Sequence, residues 1–463
     1  MKAALAIVLV AACGGSQQPP AAELPPIAPS APPEPAPSTA MIAPETTTTV
    51  DGNVTEAWVH GIHVLLKYDP GAETTSTTIY VTGGSTTWTK ETAGLEELAL
   101  SVATTGGTAK LDKDAFAKRL AELGSTITSG ATREYSDITA WSLSSAWDQT
   151  FELLAQTFRE PALPAAQLEL ERRQQIAQLQ HELDDPDSRL VMLAQAGMYK
   201  DHPYALRPDG TLDTVAGFTA EQVAAQLASL RQTSRMLIVV VGDLDAVHVL
   251  QAVQHAFGDL PKGEAPKPVP DLAVATAGHI DVVADKLPTN YIESEIVGPR
   301  WTDPDFAVAR VAMEWLAQLE FEEVRTKRNL SYAPEAGFSW NATAPIAWLY
   351  VTAVDPHATM QVMIDQAKRM RDTKISDHDL AASKAMLLTN TFMAAEAPAD
   401  QGAQLAHAQI FGGDWHYART MPGLVAAVTA DQVQAWCQKH LTHFRTFVVG
   451  DGSKLDRPLL ESF

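Results

Sequence analysis

Two segments far apart in this chain spell the same order of structure. Residues 218–245, FTAEQVAAQLASLRQTSRMLIVVVGDLD, and 428–453, VTADQVQAWCQKHLTHFRTFVVGDGS, each give a helix start, a helix, a short link and a β-branched strand ending in Gly-Asp. Thr219 with Gln222 and Thr429 with Gln432 fit a capping box, in which the Thr hydroxyl and the Gln amide satisfy free N–H groups of the first turn. Gly242 and Gly450 close the strands that follow. A repeat of this kind restricts the chain to an architecture of two related halves.

The earlier elements of each half match as well. In the first, IHVLLKY and STTIYVTGG read as strands, AGLEELALSV as a helix, and DITAWSLSS as a strand before the helix WDQTFELLAQTFR. In the second, HIDVVA and YIESEIVG are strands, DPDFAVARVAMEWLAQLEFEEVRTKR is one long helix with Asp303 as cap and Pro304 at its first position, and IAWLYVTAV precedes the helix ATMQVMIDQAKRMR. The expected fold is α+β, with a first half over 48–261, a linker over 262–275 (KGEAPKPVPDLAVA) and a second half over 276–463. A hydrophobic share of 46% and 10 Trp supply a core for both.

The N-terminus carries an address. Met1-Lys2 is a brief basic region and Ala3 to Val10 an apolar run too short to span a bilayer, so residues 1–12 read as a signal segment. LVAAC, ending at Cys13, resembles the bacterial lipobox, which implies a lipid anchor at Cys13 and, with Gly14 next, sorting to an outer membrane facing the periplasm. Residues 13–47 are Pro- and Ala-rich without periodicity and form a semi-extended tether. With Cys13 acylated, Cys437 has no partner for an internal disulfide. The formal charge of −22, from 34 Lys+Arg against 56 Asp+Glu, repels phosphate backbones and sets nucleic acid aside as a partner.

In AGLEELALSV (93–102) the apolar residues Leu95, Leu98, Ala99 and Val102 form one buried stripe, leaving Glu97, Leu100 and Ser101 on the other face. Together with HGIHVLLKYDP, GGSTTWTKETAGLEEL, DHPYALRPDGTLDTVAGFT, VVVGDLD and EEVRTKRNLSY, in that order from about residue 48 to the C-terminus, this helix resembles the insulinase/pitrilysin family of zinc peptidases. The resemblance implies two homologous α/β-roll halves of the processing-peptidase type, each an antiparallel-rich sheet covered by helices. It also implies a zinc site, H-x-x-E-H on the first helix plus a distant Glu. Glu97, Leu100 and Ser101 stand at the first His, the Glu and the second His, and Glu171 falls near the distant ligand. Since there is no His between His63 and His181, no register shift restores two imidazoles to that helix. The chain is therefore expected to bind no metal or cofactor of its own, zinc being confined to a partner.

A second family feature is present. Active members place an Arg and a Tyr, separated by six residues, in a C-terminal half, where they bind peptide and polarise its carbonyl; RTKRNLSY supplies Arg325 and Tyr332 at that spacing. An Arg gives a fixed donor fork and a Tyr hydroxyl one more donor for a developing oxyanion. The alternative is that Arg325 is a solvated helix residue and Tyr332 a packing aromatic inherited with the fold. Asn329 is placed to end the helix in a left-handed cap.

Other candidates carry little. His60 with His63, and His440 with His443, lack a third ligand. Asp184, Asp185 and Asp187 flank Pro186, which breaks the helix, without a calcium loop. Gly83-Gly84 and Gly106-Gly107 read as turns, lacking a phosphate-loop Lys. Three functions remain: a non-catalytic subunit that pairs with a zinc-bearing homologue and offers Arg325 and Tyr332 to its peptide substrate; a structural or peptide-binding scaffold, like the bc1 core subunits; and a stand-alone hydrolase with unfamiliar ligands, the weakest.

Overall fold

In the computed structural model the described residues are 47–463; the signal segment, Cys13 and the tether up to residue 46 lie outside them. Thr47, assigned to the tether by composition, opens a strand instead. The first half runs β1 (Thr47–Asp51), β2 (Val54–Val59), β3 (Ile62–Tyr68), β4 (Thr74–Thr82), α1 (Leu95–Thr105), α2 (Lys113–Leu123), β5 (Thr126–Ala131) and β6 (Tyr135–Leu143). It continues with α3 (Trp147–Arg159), α4 (Ala165–Asp184), α5 (Pro186–Met198), α6 (Leu212–Gly217), α7 (Ala220–Leu230), β7 (Met236–Gly242) and α8 (Ala246–Phe257). The second half runs β8 (His279–Ala284), β9 (Asn290–Val297), α9 (Phe306–Glu320), a π-helical turn at Phe321–Thr326, β10 (Glu335–Phe338) and β11 (Ile346–Ala353). After it come α10 (Pro356–Asp372), α11 (Asp377–Met393), α12 (Pro398–Gly412), α13 (Tyr417–Ala427), α14 (Ala430–His440), β12 (Arg445–Gly450) and α15 (Arg457–Glu461).

The two sheets repeat one topology. The first is ordered β1-β2-β3-β7-β4-β6-β5 and the second β10-β11-β9-β12-β8. Read from the opposite edge, the second is β8-β12-β9-β11-β10, which is the order of β3-β7-β4-β6-β5. In both, the last strand of the half inserts between two earlier strands and runs parallel to one of them, β7 to β3 and β12 to β8, whereas the other described pairings are antiparallel. Each inserted strand follows a helix whose start is a capping box, at Thr219/Gln222 and at Thr429/Gln432. Both strands end on a glycine at positive φ, 154° at Gly242 and 151° at Gly450. An added Cβ would meet Thr75 at 2.6 Å in the first case and Asn290 at 2.4 Å in the second.

The strand β7 is buried on both faces for a reason that lies in the other half. Met236, Ile238 and Val240 pack into the core made with α1, α3, α7 and α8. Leu237, Val239 and Val241 pack on the opposite side with Leu405 and Ala406 of α12. The second half reciprocates: Val448 of β12 joins the core with α9, α10 and α14, while Phe447 and Val449 are covered by Leu190, Ala194 and Met198 of α5. Each half thus lends one helix to the far face of the other sheet. Polar ties reinforce the exchange, with the Thr343 backbone N–H donating to Glu134 (2.6 Å), Arg189 paired with Asp285 (2.6 Å) and Arg445 donating to the Gly197 carbonyl (2.6 Å).

Two helix ends differ from expectation. Asp303 and Pro304 do not start the long helix, which begins at Phe306 after Asp305. The Asp303 carboxylate instead accepts from the Arg300 N–H (2.7 Å), closing a turn ahead of the helix. At the other end the α-helix stops at Glu320 and six residues of π-helix follow, changing the angular phase of everything beyond. At Pro186, α4 ends and α5 begins; Asp185 caps the new helix by accepting from the Ser188 N–H (2.8 Å).

Candidate functional site

The helix α1 is fixed at its N-terminus by close backbone packing. Gly94, at φ 92°, lies against Gly210, where an added Cβ would come within 2.5 Å of the Ala93 carbonyl. Gln175 of α4 bridges the two by donating to the carbonyls of Gly94 (3.1 Å) and Asp209 (2.9 Å), and Thr214 donates to Ala93 (3.0 Å). The turn around Asp209-Gly210 therefore serves as a clamp on α1.

Beside this clamp lies an open cleft of about 630 Å³. It brings together Glu97, Ser101 and Glu171, three of the four positions singled out from sequence, with Gln174, Gln175 and Gln178 along α4. Glu97 accepts from the Ala131 N–H (2.8 Å), and burial pushes its carboxyl above the usual range. Glu171 accepts from the Thr105 hydroxyl (2.9 Å) and the Gln167 amide (2.6 Å).

Leu100 is the exception. Assigned from sequence to the open face, it is 2% exposed and belongs to the hydrophobic core. The apolar sector of α1 is wider than four residues and runs through Leu100 and Ala103, because the helix is covered by neighbours on two sides. At the position of the family's general base the chain thus carries a core leucine. The remaining donors do not fit zinc: two carboxylates already holding hydrogen bonds and one hydroxyl replace a set built on two imidazoles. Among the described residues no group of three His, Cys, Asp or Glu side chains is placed to hold a metal. His63, instead, is paired with Glu56 (2.7 Å) and stacked on Trp58.

Sequence reading passed over Glu96. It is 1% exposed and its carboxylate accepts from Trp88 Nε1 (3.0 Å), Gln226 Nε2 (2.8 Å) and the Ser136 hydroxyl. The signal was available: Glu96 lies three residues before Ala99 and seven before Ala103, inside the apolar sector. Asp137, paired in register with Gly130 of the cleft, was passed over too; burial raises its carboxyl to about 6.

The second-half pair sits elsewhere. Arg325 lies in the π-helical turn, with its guanidinium carbon 4.1 Å from the Tyr332 ring centroid and 4.7 Å from that of Phe321. Tyr332 is 78% exposed. Asn329, at φ 52°, supplies the left-handed residue between them, its N–H bonded to the Arg325 carbonyl (3.0 Å). Neither Arg325 nor Tyr332 lines the cleft of Glu97 and Glu171.

Residues 63–208 match the family model described as insulinase, peptidase family M16, and residues 217–387 match the one described as the peptidase M16 inactive domain, between them about two thirds of the chain. The chain belongs to the insulinase family. Lacking both imidazoles and the glutamate base on α1, it is a non-catalytic member. The β subunit of the mitochondrial processing peptidase of Saccharomyces cerevisiae is 22% identical over 73% of this chain and 78% of its own length. Cytochrome b-c1 complex subunit 1 of Homo sapiens is 25% identical over 47% of this chain, and a probable inactive metalloprotease of Bacillus subtilis, YmfF, is 25% identical over 41%; these matches span under half of either relative, 45% and 46%. In fold, the chain is similar to a peptidase M16 inactive domain from Pseudomonas fluorescens, with a TM-score of 0.78, 21% identity, and coverage of 86% of this chain and 98% of that one. The periplasmic protease PqqL of Escherichia coli gives a TM-score of 0.74 at 16% identity, with 93% of this chain aligned to 49% of that one. The α+β architecture of two insulinase-type halves is common to them.

Proposed function

We propose that this insulinase-family protein is the zinc-less subunit of a two-chain peptidase, pairing with a zinc-bearing homologue and contributing Arg325 and Tyr332 to the peptide it processes. The observation that carries this reading is the exposed Arg325–Tyr332 stack, held at 4.1 Å outside the chain's own cleft. A tyrosine kept only for packing buries its ring, whereas this ring is open to another molecule and steadied by a cation. Relatives named as subunits of the processing peptidase and of the cytochrome b-c1 complex support association with another chain. In this reading the only zinc belongs to the partner, the substrate is a peptide, and Cys13 anchors the complex by a lipid to the bacterial cell envelope, at the outer membrane facing the periplasm.

The alternative, a scaffold without a catalytic partner, draws on the same stack: the Arg325 guanidinium already lies against the Phe321 and Tyr332 rings, which gives the pair a structural use. Co-purification followed by kinetics of the reconstituted complex decides between them. Tyr332→Phe keeps the ring and removes the hydroxyl, and it lowers turnover by about 10²–10³ if that hydroxyl stabilises an oxyanion; Arg325→Ala raises KM or lowers kcat according to whether it binds substrate or transition state. Wild-type kinetics in both variants, or the absence of any zinc-bearing partner, would leave the scaffold.

A further inference from the structure

The second half contains a cavity that the reading above does not use. It lies among α9, α11, α12, α13 and β10, encloses about 360 Å³, and has aromatic walls formed by Trp301, Phe338, Trp340 and Tyr417, with Met313 and Met421 between them. That volume is at the small end of ligand sites, and the lining is the apolar kind such sites have. One cation enters it. Arg310 projects from α9, where its neighbours Val308, Ala309, Val311 and Ala312 are all buried in the core.

The Arg310 side chain has no hydrogen-bonding or ion-pair partner among the described residues; its contact is with the Trp340 ring, 5.7 Å from guanidinium carbon to centroid. Glu314, one turn further along α9, also lines the cavity but accepts from Gln318 (3.2 Å) and forms no ion pair with Arg310. Gln404 is likewise occupied, donating to the Thr391 carbonyl (3.2 Å). Burial alone lowers the guanidinium to about 10, so the surroundings oppose the charge without answering it. Arg310 is half-buried, and a cation partly withdrawn from water without a counter-ion carries a desolvation cost that a ring at that distance offsets only in part.

We propose that this cavity binds a small amphipathic carboxylate, its carboxylate on the Arg310 fork and its apolar body against Trp301, Phe338 and Trp340. Arg matches a carboxylate through two parallel N–H donors, while the aromatic walls accept either an alkyl chain or an aryl ring. The site is lined by residues of this chain and includes neither Arg325 nor Tyr332.

The test is titration of the purified protein with decanoate, 4-phenylbutanoate and decanol, followed by calorimetry and by the fluorescence of the lining tryptophans. Saturable binding of at least one acid is expected, tighter than decanol by a factor of about 10 or more. Arg310→Gln brings the acid down to the alcohol's affinity and leaves the alcohol unchanged. Which acid binds more tightly identifies the body as alkyl or aryl. Decanol equal to decanoate in the wild type, undiminished acid binding in Arg310→Gln, or no saturation by either acid up to about 1 mM would overturn the proposal. Should Arg310→Gln fail to fold, the wild-type contrast between acid and alcohol decides by itself.

Discussion

Adjacent acids on α1 show how position overrides chemistry. Glu96 is surrounded by donors from three separate elements, so replacing it with leucine strands Trp88, Gln226 and Ser136 inside the core. Glu96→Leu is expected to lower stability by about 2–5 kcal/mol in urea denaturation, the cost of several buried donors losing one charged acceptor. Glu97, by contrast, is pushed toward its neutral form by burial and needs only an oxygen for the Ala131 N–H. Glu97→Gln keeps that oxygen and should change stability by less than about 1 kcal/mol. A measured order reversed between the two would show that the cleft, and not the core, depends on this helix. From sequence Glu97 stands out and Glu96 does not, because a four-residue stripe says which face is buried without saying how wide that face is; the same limit placed Leu100 on the wrong side.

At the scale of elements, the exchanged helices α5 and α12 each carry a glycine against the sheet they cover, but in unlike surroundings. At Gly197 an added Cβ would lie 2.3 Å from the Phe447 ring, whereas at Gly402 the nearest atoms, on Val241 and Val239, are at ordinary contact distances of 3.4 and 3.5 Å. Alanine in a helix is favoured over glycine by about 0.5–1 kcal/mol, so Gly402→Ala should stabilise by up to that amount. Gly197→Ala should instead destabilise by about 1–3 kcal/mol, since Phe447 is fully buried and must shift. Thermal melts of the two variants moving in the same direction would contradict this account of the crossings. The capping boxes and the repeated helix-strand unit were legible because their determinants lie within a few residues of each other. The exchange of α5 and α12 was not, because their apolar faces read like those of any helix on its own sheet and nothing local names the sheet. The start of α9 was misplaced for a related reason: Asp303-Pro304 has the composition of a helix start, yet a turn made with Arg300 competes for the same carboxylate.

For the whole molecule, the junction between halves contains a titrating group. His407 of α12 shares a hydrogen bond with the Tyr135 hydroxyl of β6 (3.0 Å), and burial lowers its imidazole to about 4. The folded pKa lies below the ordinary 6.5, so the unfolded chain binds this proton first as the pH falls. Its contribution is whole above about 6.5 and is lost progressively toward 4, up to roughly 3 kcal/mol. His407→Gln can still bond to Tyr135 and does not titrate, so the difference in unfolding free energy between wild type and variant should move steadily in the variant's favour across that window. A difference independent of pH would remove His407 from the account.

The traded helices also act as a lock. For the halves to swing apart, α5 must leave Phe447 and Val449 in the same motion that takes α12 from Leu237, Val239 and Val241. Uncovering each such side chain costs about 1.5–3 kcal/mol, and five together approach the 5–15 kcal/mol that holds a whole domain folded. The chain does not open as a clamshell between its halves: it is a fixed wall, and in the two-chain peptidase proposed above a doorway for peptide would have to open along the seam with the partner.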